Sequence, residues 1–182
     1  MNIFDKLLKK QPTVINQLDN ESPGKLMLMG ILTSSTIIFD DAWTDYKKRK
    51  GQTFELIILS TLLILRKFRE IRPRYYNVFE EDFFKQIQLF ALQEQITQML
   101  PIDFADFINS RFILYDDEFS YDDEDQVKLP GRTAFNLFER PLLKNSGICE
   151  DLFKMMEFQI KFQSYYQQLM WGLDFMVSKK YA

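Results

Sequence analysis

The chain has 182 residues, of which 46% are hydrophobic and 27% are charged, and its formal net charge is −3. These fractions are typical of a globular protein with a full core, so they exclude a chain that is disordered throughout. The sequence has no histidine and a single cysteine, Cys149. Ser-His-Asp and Cys-His catalysis, histidine-containing or four-cysteine zinc sites and internal disulfides are therefore excluded.

The N-terminal segment predicts a short amphipathic helix, and a signal peptide is not expected. Four apolar residues of the segment 2–10 fall on one stripe: Ile3, Phe4, Leu7 and Leu8. Pro12 ends this pattern, and the apolar core and cleavage site of a signal peptide are missing. The longest uncharged stretch, residues 26–39, has fourteen residues, which is fewer than the roughly 18–20 needed to span a bilayer. We therefore expect no membrane span and a cytoplasmic location.

A clear helix start lies at Ser22-Pro23, because serine caps a helix N-terminus and proline is favoured at the first helical position. This helix is predicted to reach about Lys50, with Gly30 and the Thr/Ser run 33–36 as candidate break points. Four cations at 47–50 precede Gly51, as expected for a helix C-terminus with its dipole and glycine cap. That position explains these cations without a phosphate or anionic-lipid contact.

Two further segments are predicted to form the centre of the protein. Residues 52–72 are the most apolar block, and a helix that is apolar nearly all round is a buried one. Residues 148–179 carry apolar side chains at helical spacing and predict one long C-terminal helix, with Gly172 as its weak point. Cys149 lies near its start, where we expect a small buried side chain rather than a reactive thiol.

Between these two segments, the sequence predicts two longer helices and some shorter pieces. Asn77 and Glu80 have the spacing of a capping box, and the helix they open is predicted to stop at Pro101. Asp103 is the expected N-cap of the next helix. Short helical pieces are predicted at 133–140 and 141–147. Hairpin signals such as Asn-Gly are absent, so we predict an all-α fold: one domain, 1–182, built as a bundle of about five to seven helices with a long C-terminal helix.

An exposed acidic loop is predicted at 116–129. It begins with seven acids in ten residues. The run does not fit a calcium-binding EF-hand loop, because Tyr121 and Val127 stand where glycine and glutamate are required. A basic protein partner is the better fit, since opposite potentials steer association and the two aromatic residues could enter a partner's pocket. The predicted partner-binding residues are Asp116, Asp117, Glu118, Phe119, Tyr121, Asp122, Asp123, Glu124 and Asp125. A loop that only keeps the protein in solution is the alternative.

The charge distribution favours a binding function over catalysis. Residues 1–75 carry a balance of +5 and residues 76–182 a balance of −8, and the acidic total argues against a nucleic-acid binder. Acidic pairs such as Asp40-Asp41 form no catalytic or metal-binding constellation that we recognise, so we expect no catalytic residue, metal or cofactor. The favoured function is a non-catalytic interaction module of the inhibitor or immunity type. The alternatives are a carrier of an apolar ligand between Phe-rich helices and a carboxylate–metal enzyme.

Overall fold

The structure is a computed structural model, and it describes residues 20–39, 46–118, 135, 142 and 152–181. The elements in chain order are α1 (Pro23–Ser34), α2 (Thr36–Phe39), α3 (Tyr46–Ile71), a 3₁₀ helix (Pro73–Tyr75), α4 (Tyr76–Gln93), a second 3₁₀ helix (Ile96–Met99), α5 (Phe104–Glu118) and α6 (Leu152–Lys180). No strand occurs in these described ranges. The predicted all-α bundle with a long C-terminal helix is confirmed.

The first helix begins where the sequence places it. The Ser22 hydroxyl oxygen accepts a hydrogen bond from the Lys25 amide at 3.3 Å, and Pro23 is the first helical residue. The helix breaks at Ser35, inside the Thr/Ser run, where the Ser35 hydroxyl donates to the Leu32 carbonyl. A hydroxyl bonded to a preceding carbonyl competes with the helical backbone, which explains the interruption there. Residues 40–45 lie outside the described part of the chain.

The predicted helix end at Gly51 is wrong. Helix α3 starts at Tyr46 and runs through Gly51, which is buried, so the cations at 47–50 lie in its first turns. Arg49 donates to the Phe39 carbonyl at 2.9 Å and lies over the Phe39 ring. Lys50 donates to the Glu94 carbonyl at 2.9 Å and pairs with the Glu94 carboxylate at 3.2 Å. These two cations therefore hold neighbouring segments instead of ending a helix.

The block 52–72 is the central helix, as predicted, since α3 contacts α1, α4, α5 and α6. Its side chains are almost continuously buried from Thr53 to Leu65. Around it, aromatic rings pack on one another: the Phe68 and Phe79 ring centroids are 4.2 Å apart, and the Phe162 and Tyr165 centroids are 5.6 Å apart. Stacked and tilted ring pairs of this kind stabilise a core beyond the area that they bury.

Both boundaries of α4 differ from the prediction. The helix starts at Tyr76, directly after the first 3₁₀ helix, so Asn77 is already helical and is not a cap. The Glu80 carboxylate instead accepts a hydrogen bond from the Tyr76 hydroxyl at 2.7 Å. The helix ends at Gln93 and not at Pro101, because Gln95 adopts a left-handed conformation with φ 60°. The second 3₁₀ helix follows and buries Ile96 completely.

Helix α5 is capped by Asp103, as predicted: its carboxylate accepts from the Ala105 amide at 2.9 Å. The helix continues to Glu118, so the first three acids of the predicted loop 116–129 are helical. Helix α6 has its predicted form and ends with Lys179 and Lys180 in its last turn. Phe158, Phe162 and Tyr165 are among the α6 side chains buried in the core.

Three tyrosines of the bundle have raised pKa values, from which we predict a loss of stability at alkaline pH. Burial, and then Glu80, raises the pKa of Tyr76 to about 12; burial also raises the pKa of Tyr165 and of Tyr181. In the unfolded chain tyrosine ionises near pH 10, so between that value and the native pKa only the unfolded state releases the proton. The contribution of these tyrosines to the free energy of unfolding should therefore be constant below about pH 9 and fall above about pH 10.

This pH dependence is measured by urea unfolding between pH 8 and 11. Tyr165→Phe removes one buried hydroxyl and should make the decline shallower. The Ser60 hydroxyl, which shares a hydrogen bond with Tyr165, still donates to the Leu56 carbonyl in that variant. A spectrophotometric titration in which all eight tyrosines ionise together near pH 10 would contradict the prediction.

Candidate functional site

A buried carboxylate on α3 collects hydrogen bonds from two other parts of the chain. The Glu55 side chain is 1% exposed. Its two oxygens accept from the Arg111 Nε atom at 3.0 and 3.1 Å. Tyr115 donates its hydroxyl to Oε2 at 2.9 Å, and Leu142 donates its backbone amide to Oε1 at 3.0 Å. We call these four residues the Glu55 cluster.

The charges of the Glu55 cluster are fully enclosed. Arg111 is also 1% exposed, and its guanidinium carbon lies 4.4 Å from the Phe107 ring centroid. Removing both ions from water is costly, and the cost is offset only if each polar atom finds a partner. Burial raises the pKa of Glu55 above its ordinary value, while Arg111, the Leu142 amide and the Tyr115 hydroxyl act in the opposite direction. The cluster therefore depends on all three donors.

The Glu55 cluster brings together the two sides of the acidic segment. Tyr115 directly precedes Asp116, and 26 residues, which include the acidic segment, separate Tyr115 from Leu142. Leu142 has φ 64°, a left-handed conformation that a leucine adopts only when its surroundings hold it there. Phe135 is a further anchor, since it is 1% exposed and its ring centroid lies 5.6 Å from that of Phe158. The chain on either side of the acidic run is thus fixed to the core.

The predicted partner-binding residues are described only in part. The Asp116 side chain is 59% exposed and forms an ion pair with Arg66 of α3. Asp117 and Glu118 form the last turn of α5, and their side chains lie outside the described residues. The remaining predicted site residues also lie outside the described residues: Phe119, Tyr121, Asp122, Asp123, Glu124 and Asp125.

The arrangement at Glu55 is suited to holding segments rather than to chemistry. A carboxylate with a perturbed pKa is a general sign of a functional site, but Glu55 is closed to solvent and its oxygens already accept four hydrogen bonds. Within the described ranges, no group of three or more acidic, cysteine or histidine side chains is placed to hold a metal ion.

None of the described helices combines the length and the apolar composition that a membrane span requires.

The sequence analysis did not identify Glu55, Arg111 and Leu142. Their positions in the sequence could have indicated the two ions. Glu55 interrupts the apolar block 52–72, and Arg111 lies four residues after the core residue Phe107, on the same face of α5. A charged residue at a core-facing position needs a buried counter-charge. This rule would have identified Glu55 and Arg111 as buried charges, but it would not have shown that they pair with each other across 56 residues.

The geometry defines the class of protein as an all-α bundle with a buried ionic cluster. A scan against protein-family models found no match, and searches of curated proteins and of solved structures found no match either.

Proposed function

We propose that the protein is a non-catalytic interaction module that presents the acidic segment 116–125 to a protein partner with a basic surface. An inhibitor or immunity-type protein, which neutralises its target by covering it, is the specific form that we favour. The observation that carries the proposal is the Glu55 cluster, in which one carboxylate binds both Tyr115 and Leu142. A segment whose flanks are fixed loses less conformational entropy when it binds than a free tail does.

The charge of the segment supports a basic partner. Seven carboxylates in ten residues produce a strongly negative local potential, which accelerates the encounter with a positive surface. The first of them, Asp116, is exposed on an ordered helix and has Arg66 as its counter-charge. Phe119 and Tyr121 then supply apolar anchors between the acids, as large side chains at the centre of interfaces commonly do.

The proposal is tested with the variant Asp116→Asn, Asp117→Asn, Asp122→Asn, Asp123→Asn. Proteins captured by the immobilised wild type are identified by mass spectrometry, and the association rate of each purified candidate is measured at several salt concentrations. We expect the variant to associate about tenfold more slowly at low salt and to show a weaker salt dependence, because steering raises association rates by 10-fold or more. The dissociation rate should change less.

A matched control carries the same change in charge elsewhere. It replaces four exposed acids outside the segment with their amides: Glu70, Asp106, Glu157 and Asp174. Equal slowing by both variants would show that net charge, and not the acidic segment, controls association. Unchanged binding by the segment variant would show that the acidic segment does not take part in binding.

A further inference from the structure

A groove separates α4 and α5 on the outside of the bundle. Both helices pack against α3, and the space between them has a volume of about 560 Å³. Three apolar side chains line it: Phe84 of α4, and Phe104 and Ile108 of α5. The small Ala105 also lines it and is exposed, which leaves room for a side chain from another segment. An apolar groove between two helices is the kind of site that accepts an amphipathic helix.

The groove suits a short helix in length. Its α4 wall extends from Glu81 to Gln88, which is about 10 Å along a helix axis at 1.5 Å per residue. The segment 2–10, with its single apolar stripe, would span about 13 Å as a helix. One stripe of four apolar side chains is also what a one-sided groove can bury.

The position of α1 places the start of the described chain against α4, the helix that forms one wall of this groove. The Gly24 amide donates to the Asp82 carboxylate of α4 at 2.6 Å, and Asp82 directly follows Glu81 of the groove wall. Between the segment 2–10 and Asn20 lie nine residues, which reach up to about 30 Å when extended. That reach exceeds the roughly 10–12 Å diameter of the helix α4 around which the chain must pass.

The charges of the groove and of the segment are complementary. Glu81 and Lys85 line the groove on α4, so its α4 wall offers a carboxylate to a cation that lies beside it. The segment 2–10 carries three lysines and one aspartate. On a helix, Lys6 and Lys10 fall at the edge of the apolar stripe, beside Ile3, so they can reach the Glu81 carboxylate while the stripe faces the groove.

We propose that the groove between α4 and α5 is the docking site for residues 2–10 of the same chain. Ile3, Phe4, Leu7 and Leu8 cover its apolar floor, and Lys6 and Lys10 face Glu81. This proposal does not depend on the acidic segment, and the two are tested by different variants.

The test is a double-mutant cycle in the full chain with Phe4→Ala and Phe84→Ala, measured by urea unfolding. Each single variant changes the unfolding equilibrium constant by some factor, and without contact the two factors multiply in the double variant. If the two side chains touch, the factor for the double variant should be at least about fivefold smaller than that product, which corresponds to a coupling of about 1 kcal/mol. The control pair is Phe4→Ala with Ile160→Ala, since Ile160 is 67% exposed on α6. For this control pair, the factors by which the two single variants change the unfolding equilibrium constant should multiply in the double variant.

A second measurement does not depend on stability. Carbodiimide joins a carboxylate to a lysine in direct contact, so in the monomeric fraction we expect a cross-linked peptide that connects Glu81 with Lys6 or Lys10. Glu81→Gln should remove it. Cross-links found only in a dimeric fraction would assign the groove to a second copy. Independent Phe4 and Phe84 effects, together with no such cross-link, would overturn the proposal and leave the groove to a different partner.

Discussion

Arg111→Met should lower the free energy of unfolding by about 3–5 kcal/mol, the usual cost of leaving one member of a buried ion pair alone. Methionine fills much of the space of the arginine stem, so lost packing is a minor part of this effect. Glu55 would keep the Tyr115 hydroxyl and the Leu142 amide as donors, but its charge would lose the guanidinium that lies 3.0 Å away. Urea unfolding at pH 7 measures the change.

The matched control is Lys67→Met, which breaks the ion pair with Glu70 on the surface. The Lys67 and Glu70 side chains are 46% and 50% exposed, and exposed pairs of this kind contribute less than about 1 kcal/mol. An equal effect of the two variants would show that the buried pair does not hold α5 on α3.

The Arg111→Met variant should also change the pH dependence of stability. Burial already raises the pKa of Glu55, and Arg111 opposes this effect, so the variant should raise the pKa further. A native pKa above the unfolded value means that the native state binds more protons between the two values. The variant's deficit should therefore be smallest below about pH 4 and grow as the pH rises through the native pKa of Glu55. A deficit that does not vary between pH 4 and 8 would contradict this mechanism.

Gly24→Ala should destabilise the protein by about 1–3 kcal/mol, the range expected when an extra carbon is forced into a packed contact. A Cβ atom on Gly24 would lie 2.7 Å from both the N and Cα atoms of Phe83. These are backbone atoms of α4, so no side chain can rotate away, and α1 must move off α4. The same movement would stretch the hydrogen bond from the Gly24 amide to Asp82.

This prediction is unusual because alanine normally stabilises a helix relative to glycine by about 1 kcal/mol. Lys25→Ala is the control at the next residue of α1, where the side chain is exposed and pairs with Glu21. It should change stability by less than about 1 kcal/mol. A Gly24→Ala protein as stable as the wild type would show that the close approach of α1 and α4 is not required.

Local signals in the sequence were sufficient for several elements. Ser22 and Asp103 were predicted as caps, and each accepts the expected amide hydrogen bond. The block 52–72 was predicted as a central helix, and it is buried from Thr53 to Leu65. These features depend on residues within one helical turn or on the apolar content of a single segment, so they can be predicted from the sequence alone.

Other boundaries depended on contacts between segments. Gly51 has the sequence context of a helix end, yet the helix continues because both sides of it are held by the bundle: Lys50 binds the end of α4, and the residues after Gly51 are buried. Asn77 has the spacing of a capping box, but the 3₁₀ helix that begins at Pro73 leads directly into α4 at Tyr76, so Asn77 already lies inside the helix. At Gly51 tertiary contacts outweigh a local preference of about 1 kcal/mol, and at Asn77 the preceding 3₁₀ helix replaces the cap.

The sequence by itself determined that this protein is a bundle of helices with a Phe-rich core and an acidic segment, because periodicity, caps and composition are properties of neighbouring residues. Only the tertiary structure decided that Glu55 pairs with Arg111 and receives Tyr115 and Leu142 on either side of that segment. Hydrogen bonds across 56, 60 and 87 residues leave no periodic trace in a sequence. They form because a charge that the packing of α3 buries must find its partners wherever the fold brings them.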